Sequence, residues 1–245
     1  MSELIVAWQN QYNREWIPIG KLHYDGDIYT FFYTKGAKRA KEAGFKLLPR
    51  MDTLEQTYYA SKEALFPTFA NRLLTKSRPE YEDYKQWLSL SDDNAMEELA
   101  KNNGIRATDS IQLYAIPQKK DNQYKLEFFS HGISHLTPHY QQRVAKLETR
   151  EKLFIAKDIQ NEFDNNALFI RTKDPVEIVG YIPRIYAKDI SYLLDNDKSA
   201  NLEVKQINKD APMQFQLLCS FNAKWKSGFK PFDDEDFESL NLQQE

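Results

Sequence analysis

The sequence predicts two domains of different class: an α+β domain over residues 1–118, then a mostly-β domain over residues 124–232 that closes as a small barrel. Three observations carry this. The first half opens with short aromatic and β-branched runs and passes into helical periodicity. The second half is a series of short apolar runs broken by turn residues at regular spacing, the pattern of a small barrel. Between them the polar stretch QKKDNQ (118–123) separates two apolar runs, and the boundary is placed there.

In the first half, IVAWQN, WIPIGKLHYD and IYTFFYT read as strands separated by turns such as Tyr24-Asp25-Gly26-Asp27. GAKRAKEAGF is a short basic helix that stops near Gly44. KLLPRMD is extended around Pro49. SKEALFPTFANRLL, if helical, places Leu65, Phe69, Leu73 and Leu74 near one another, with Pro67 at its start and Phe69, Leu73 and Leu74 on one apolar face. RPEYEDYKQWLSL is a second amphipathic helix, opened by Ser77 and Pro79. SDDNAMEELAKNNG is a third, capped at Ser91 or Asp92 and stopped at Asn103-Gly104. SIQLYAIP closes the half as a strand.

In the second half, YKLEFFSHGI, KLFIAKD, NALFIRT, EIVGYIP, LEVKQIN and MQFQLLCSF read as strands. RIYAKDISYLLDN is the one clear helix, with Ile185, Ile190, Leu193 and Leu194 on its buried side. The stretch 119–232 holds 18 Lys+Arg against 14 Asp+Glu, hence +4, while the tail 233–245 holds six acids and no base, hence −6. The tail reads as a solvated, frayed terminus, or else as a competitor with phosphate for the basic body.

Composition bounds the function. No apolar run approaches the roughly 18 residues of a membrane span, and MSELIVAWQNQY lacks a basic leader and reads as a first strand. One cysteine, Cys219, fits a reducing compartment and excludes an internal disulfide or a CxxC zinc site. The expectation is a soluble cytoplasmic protein without membrane contact. His131, His135 and His139 fall at i, i+4 and i+8, but Gly132 and Pro138 break any helix that would align them, so no metal is expected. Sequence signatures of a nucleophile elbow, phosphate loop or dinucleotide fingerprint are absent, and Cys219 sits in an apolar strand. The chain is therefore expected to be no enzyme and to need no cofactor.

Three ordered blocks in the second half carry a resemblance: FFSHGISHL (128–136), KDIQNEFDNNALFIR (157–171) and VGYIPRIYAKDISYLL (179–194). Over about 128–221 the chain resembles the HIRAN domain. The resemblance implies an OB-like barrel that holds single-stranded DNA, with a pocket for a free 3′ end. On it, Phe163 is a stacking platform, Asp164 accepts a hydrogen bond from a terminal 3′-OH, and Asn161 shapes the pocket. The residues also allow Asn161, Asp164 and Asn165 to build a turn while Phe163 packs in the core. Where HIRAN domains that bind DNA ends carry an Arg-Tyr pair, this sequence has Ser134-His135, which removes a phosphate contact and weakens a stack. Lys157, Arg171, Arg184 and Lys188 supply positive charge.

The first half resembles the small N-terminal subdomain of HipA-type kinases through VAWQNQY, IPIGKL, YTFFYTKGAKRA, LLPRMDTLEQTYYASKEALFPTFANRLL and GIRATDSIQLYAIP. That piece carries no kinase chemistry. The resemblance implies docking of a kinase or other protein partner, with Asn71 and Arg72 as partner contacts or as a structural hydrogen-bond pair. Two functions follow as expectations. In the first, the second half engages single-stranded DNA or DNA ends and the first half docks a protein. In the second, the chain is an antitoxin-like or regulatory partner of a kinase without DNA binding.

Overall fold

The computed structural model describes residues 2–91 and 94–240. The chain divides into two units: the first is built up to Ile116 and again from Phe232 onward, and the second spans Pro117–Pro231.

The first unit runs β1 (Ser2–Gln9), β2 (Trp16–Tyr24), β3 (Tyr29–Tyr33), α1 (Gly36–Glu42), β4 (Tyr59–Ser61), α2 (Pro67–Ala70), α3 (Tyr81–Trp87), α4 (Ala95–Asn102) and β5 (Ile111–Ala115). The strands form one antiparallel sheet in the order β4-β3-β2-β1-β5. Leu4 to Ala7 of β1 are all buried, so this strand reads as an unbroken apolar run rather than an alternation. Leu22, Phe31, Phe69, Met96, Leu99 and Leu113 close the core around it. The expected helix over SKEALFPTFANRLL shrinks to α2. Phe66, directly before Pro67, is held extended at ψ 135°, because a residue preceding proline avoids the helical region. Asn94, rather than Ser91, caps α4: its Oδ1 accepts from the amides of Met96 and Glu97 at 3.0 and 3.2 Å. Asp92, the alternative cap, lies outside the described residues. Asn103, left-handed at φ 54°, ends the helix.

The acidic tail is neither frayed nor a competitor for the second unit, as far as residue 240. Glu235 and Glu238 lie 3.1 and 2.6 Å from Lys35 Nζ, and Asp236 lies 2.5 Å from the Arg39 guanidinium. The Lys35 amide donates to the Glu238 carbonyl at 2.8 Å, and the Leu240 amide to the Tyr33 carbonyl at 2.9 Å. Phe232 is buried and stacks on Phe237 at 4.8 Å. The reason is local charge: α1 presents the bases of GAKRAKE, and the tail returns the opposite sign to it.

The second unit runs β6 (Lys119–Lys120), β7 (Gln123–Phe129), α5 (Pro138–Ala145), β8 (Lys152–Lys157), β9 (Leu168–Arg171), β10 (Ile178–Tyr181), α6 (Arg184–Asn196), β11 (Asn201–Ile207) and β12 (Leu217–Lys224). The polar stretch 118–123 is a hairpin. Asp121 and Asn122 both have positive φ, 54° and 59°, as a two-residue turn of this hand requires, and β6 pairs back on β7.

The strands form a seven-stranded sheet in the order β10-β9-β8-β11-β12-β7-β6, antiparallel throughout. It does not close into the expected barrel. The two edge strands are too short for a closing ladder, β6 with two residues and β10 with four. An isolated bridge between His131 and Tyr181 links the chain just past β7 to β10 instead. Tyr186, Ala187, Ile190 and Leu193 bury the inner side of α6, while Ile185 and Leu194 are only half-buried. α5 was not foreseen. Its Arg143 pairs with Glu151 and Glu177, and its His139 with Glu177.

Candidate functional site

The ten residues joining β8 to β9 form a turn that its own side chains build. Asn161 Oδ1 accepts from the amides of Phe163 and Asp164 at 3.1 and 3.0 Å. Asp164 Oδ1 accepts from the Asn166 amide at 3.0 Å, and the Ala167 amide donates to the Asp164 carbonyl at 3.0 Å. These short-range bonds are what Asn and Asp supply to turns. The loop is closed at its base by the Asp158 amide donating to the Ala167 carbonyl at 2.9 Å.

Asp158 ties this loop to β10. Its Oδ2 accepts from Asn161 Nδ2 and from the Tyr181 hydroxyl, each at 3.1 Å. Burial, and secondarily the bond to Asp158, push the Tyr181 phenol above its usual range. Tyr181 exchanges both backbone bonds with His131 at 2.9 Å. The residue before it, Gly180, has φ 131°, and a β-carbon there would lie 1.9 Å from the Ser130 hydroxyl. Only glycine allows this approach, so the Gly-Tyr pair brings β10 against the Ser130-His131 segment. The three sequence blocks thus converge through Tyr181. Neither Tyr181 nor Asp158 was singled out from the sequence, although both lie within the quoted blocks; the Gly-Tyr pair was the available signal.

Phe163 is 57% exposed, which removes it from the core. Asp164 is largely covered. Its side chain is only 12% exposed, and its Oδ2 lies 3.3 Å from Arg184 Nε at the start of α6. Lys188 follows one helical turn later and is exposed. Lys157, at the end of β8, reaches Asp195 of the same helix at 3.9 Å. Asn161, Phe163 and Asp164 therefore form a turn that bears an exposed ring and meets Arg184 at the start of α6, with Lys188 one turn on; Lys157 meets the other end of that helix, about 16 Å along it from Arg184.

Ser134 and His135 are exposed in a short helical turn after Gly132, whose α-carbon faces the Tyr181 ring; a β-carbon there would lie 3.3 Å from that ring. Arg171 does not join. It lies at the far end of β9, about 10 Å along the strand from the loop, with its guanidinium 5.0 Å over the Phe154 ring. His131 is held neutral by burial, down to about 4. Burial likewise pushes the Cys219 thiol well up. Among the described residues, no three His, Cys, Asp or Glu side chains gather as a metal site, and no helix is long and apolar enough to cross a membrane.

In the first unit Asn71 is exposed just after α2. Arg72 is buried, with its side chain 1% exposed. Its guanidinium donates to the carbonyls of Thr68, Gly104 and Ile111 at 3.1, 2.7 and 3.2 Å, and to Asp109 Oδ2 at 2.7 Å. That geometry is a structural clamp between α2 and the entry to β5.

Residues 123–226 match the family model of the HIRAN domain. Among solved structures, the chain is similar to the HIRAN domain of human HLTF, with 19% identity, a TM-score of 0.31, and 41% of this chain and 76% of that one covered. It is similar also to a protein from Lactobacillus plantarum, with 15% identity, a TM-score of 0.31, and 41% and 98% covered. No curated protein matches. The family match therefore identifies a HIRAN domain at residues 123–226, within the second unit.

Proposed function

We propose that the second unit binds single-stranded DNA at a free 3′ end, without catalysis, through the loop 158–167 and the start of α6. The observation that carries this is the exposed ring of Phe163 on a turn held by side-chain hydrogen bonds. Stacking of a base on an exposed aromatic side chain contributes about 1–3 kcal/mol. Arg184 and Lys188, one helical turn apart on α6, supply the positive charge that a phosphate beside the stacked base would need. The Asp164 carboxylate, paired with Arg184, sets the choice of end. It accepts from a terminal hydroxyl and repels a terminal phosphate, while Arg184 holds the carboxylate in place.

Fluorescence anisotropy with single strands ending in 3′-OH or 3′-phosphate tests the reading. Tighter binding of the free hydroxyl end, lost in Asp164→Asn, is the expected result; equal binding of both ends refutes end recognition. For the first unit the proposal is docking of a protein partner. Asn71 is open to such a partner and Arg72 is not. Co-purification from the native host, compared between wild type and an Asn71→Ala chain, tests it.

A further inference from the structure

Just past β12 the chain reads Lys224-Trp225-Lys226-Ser227-Gly228-Phe229-Lys230, with lysines interleaved between two aromatic residues. Gly228 at φ 75° turns the segment back, and the Phe229 amide donates to the Lys226 carbonyl at 3.2 Å. The turn brings Phe229 within 5.4 Å of Trp225, edge to face. From α6, Tyr192 stacks on Phe229 at 5.4 Å, with the ring planes only 10° apart. Tyr124 lies beneath, fully buried, 5.9 Å from Phe229 and 6.2 Å from Trp225. The outer ring of this group, Tyr192, is 44% exposed. Lys224 and Lys230 are exposed beside it, Lys226 is half-buried, and Lys188 precedes Tyr192 by one helical turn.

We infer that this aromatic and lysine platform binds the continuing segment of a single strand whose end sits at the loop 158–167. The inference rests on the function proposed above and extends its site along α6. Arg184, Lys188 and Tyr192 are spaced by four residues and so fall along one side of the helix. Eight residues at 1.5 Å place Tyr192 about 12 Å from Arg184. That is a span of a few nucleotides, within the range a single domain of this size covers on a single strand. Flat π-faces bounded by cations suit bases joined by phosphates. Three acids lie around the platform: Asp189, Asp195 and Asp197. Asp189 is buried and acts electrostatically on the Tyr124 phenol. Asp195 pairs with Lys157, and Asp197 accepts from the Lys224 amide and from Ser199.

The test uses the full chain and 5′-labelled oligothymidylates of two and twelve nucleotides with free 3′ ends. The twelve-mer should bind tighter than the dinucleotide. Tyr192→Ala should weaken the twelve-mer about ten-fold and leave the dinucleotide unchanged. Lys226→Gln and Lys230→Gln should each reduce the slope of log affinity against log salt by about 0.7 for the twelve-mer. Circular dichroism melts of each variant check that the fold persists, and Tyr192→Phe should restore binding. Equal affinity for both lengths, with silent Tyr192→Ala, overturns the platform and leaves the end-reading proposal standing. Binding of the twelve-mer alone supports the platform and sinks end reading. Displacement of the strand by polyglutamate, with no effect of Tyr192→Ala, marks a surface that reads charge only and overturns the inference.

Discussion

Replacing Phe163 by alanine separates two roles that the sequence leaves open. A ring 57% exposed leaves under half of its surface buried. For a side chain of about 200 Å² that is about 85 Å², or at most about 2 kcal/mol at 25 cal/mol/Å². Compaction of the unfolded chain and the retained β-carbon bring the expected loss of stability to about 1 kcal/mol. A fully buried phenylalanine would cost about 3–5 kcal/mol. Loss of a stacked base should weaken DNA binding by about 1–3 kcal/mol. Urea melts read the first quantity and anisotropy with a short single strand the second. Phe163→Leu keeps the apolar contact but not the π-face, so it should match wild type in stability and alanine in binding. A stability loss of 3 kcal/mol or more, or unchanged affinity in both variants, would refute the assignment of Phe163 as a platform.

Three further outcomes follow from the geometry. Arg72→Ala should destabilise the first unit by roughly 3–5 kcal/mol, because it strands three carbonyls and Asp109. Lysine should rescue little, since it lacks the planar fork; a near-neutral melt would show the clamp to be dispensable. The Tyr124 hydroxyl is buried without a hydrogen-bond partner, so Tyr124→Phe should be neutral or stabilise the second unit by about 1 kcal/mol, and a clear loss in thermal melts contradicts this. His131 is held neutral to about 4, below its ordinary 6.5, so the unfolded chain binds the proton first. The stability this site contributes is full above pH 6.5 and falls as pH drops toward 4. His131→Gln should flatten that part of the pH profile, and an unchanged profile argues against a neutral imidazole at this site.

Much of the strand pattern was legible because alternation and turn residues are local signals. The hairpin at 118–123, the small α2 and the open sheet were not. Asp121 and Asn122 look like any polar linker until both adopt positive φ. Pro67 was read as helix start, and its effect on Phe66 was missed. Whether a row of strands closes depends on the length of its edges, which periodicity does not report. In the site, the turn-forming role of Asn161 and Asp164 was readable from residue type. The burial of Asp164 was not, because its partner Arg184 is twenty residues away and meets it only through the packing of α6. For Arg72 the sequence offers a partner contact or a structural hydrogen bond, and the converging carbonyls of Thr68, Gly104 and Ile111, the last two distant in sequence, decide for the second.

The first unit takes residues from both sides of the second, and this fixes an order of events during synthesis. At about 5–20 residues per second, the segment that pairs with Lys35 and Arg39 emerges some 6–23 s after Ile116 has been made. Over that interval the whole of 117–231 becomes available and can fold, while Lys35 and Arg39 still lack their partners from the tail. Nascent chains arrested before residue 232 should therefore hold Arg39 through Glu15 alone and leave Lys35 without Glu235 and Glu238, ion pairs that only the finished chain completes.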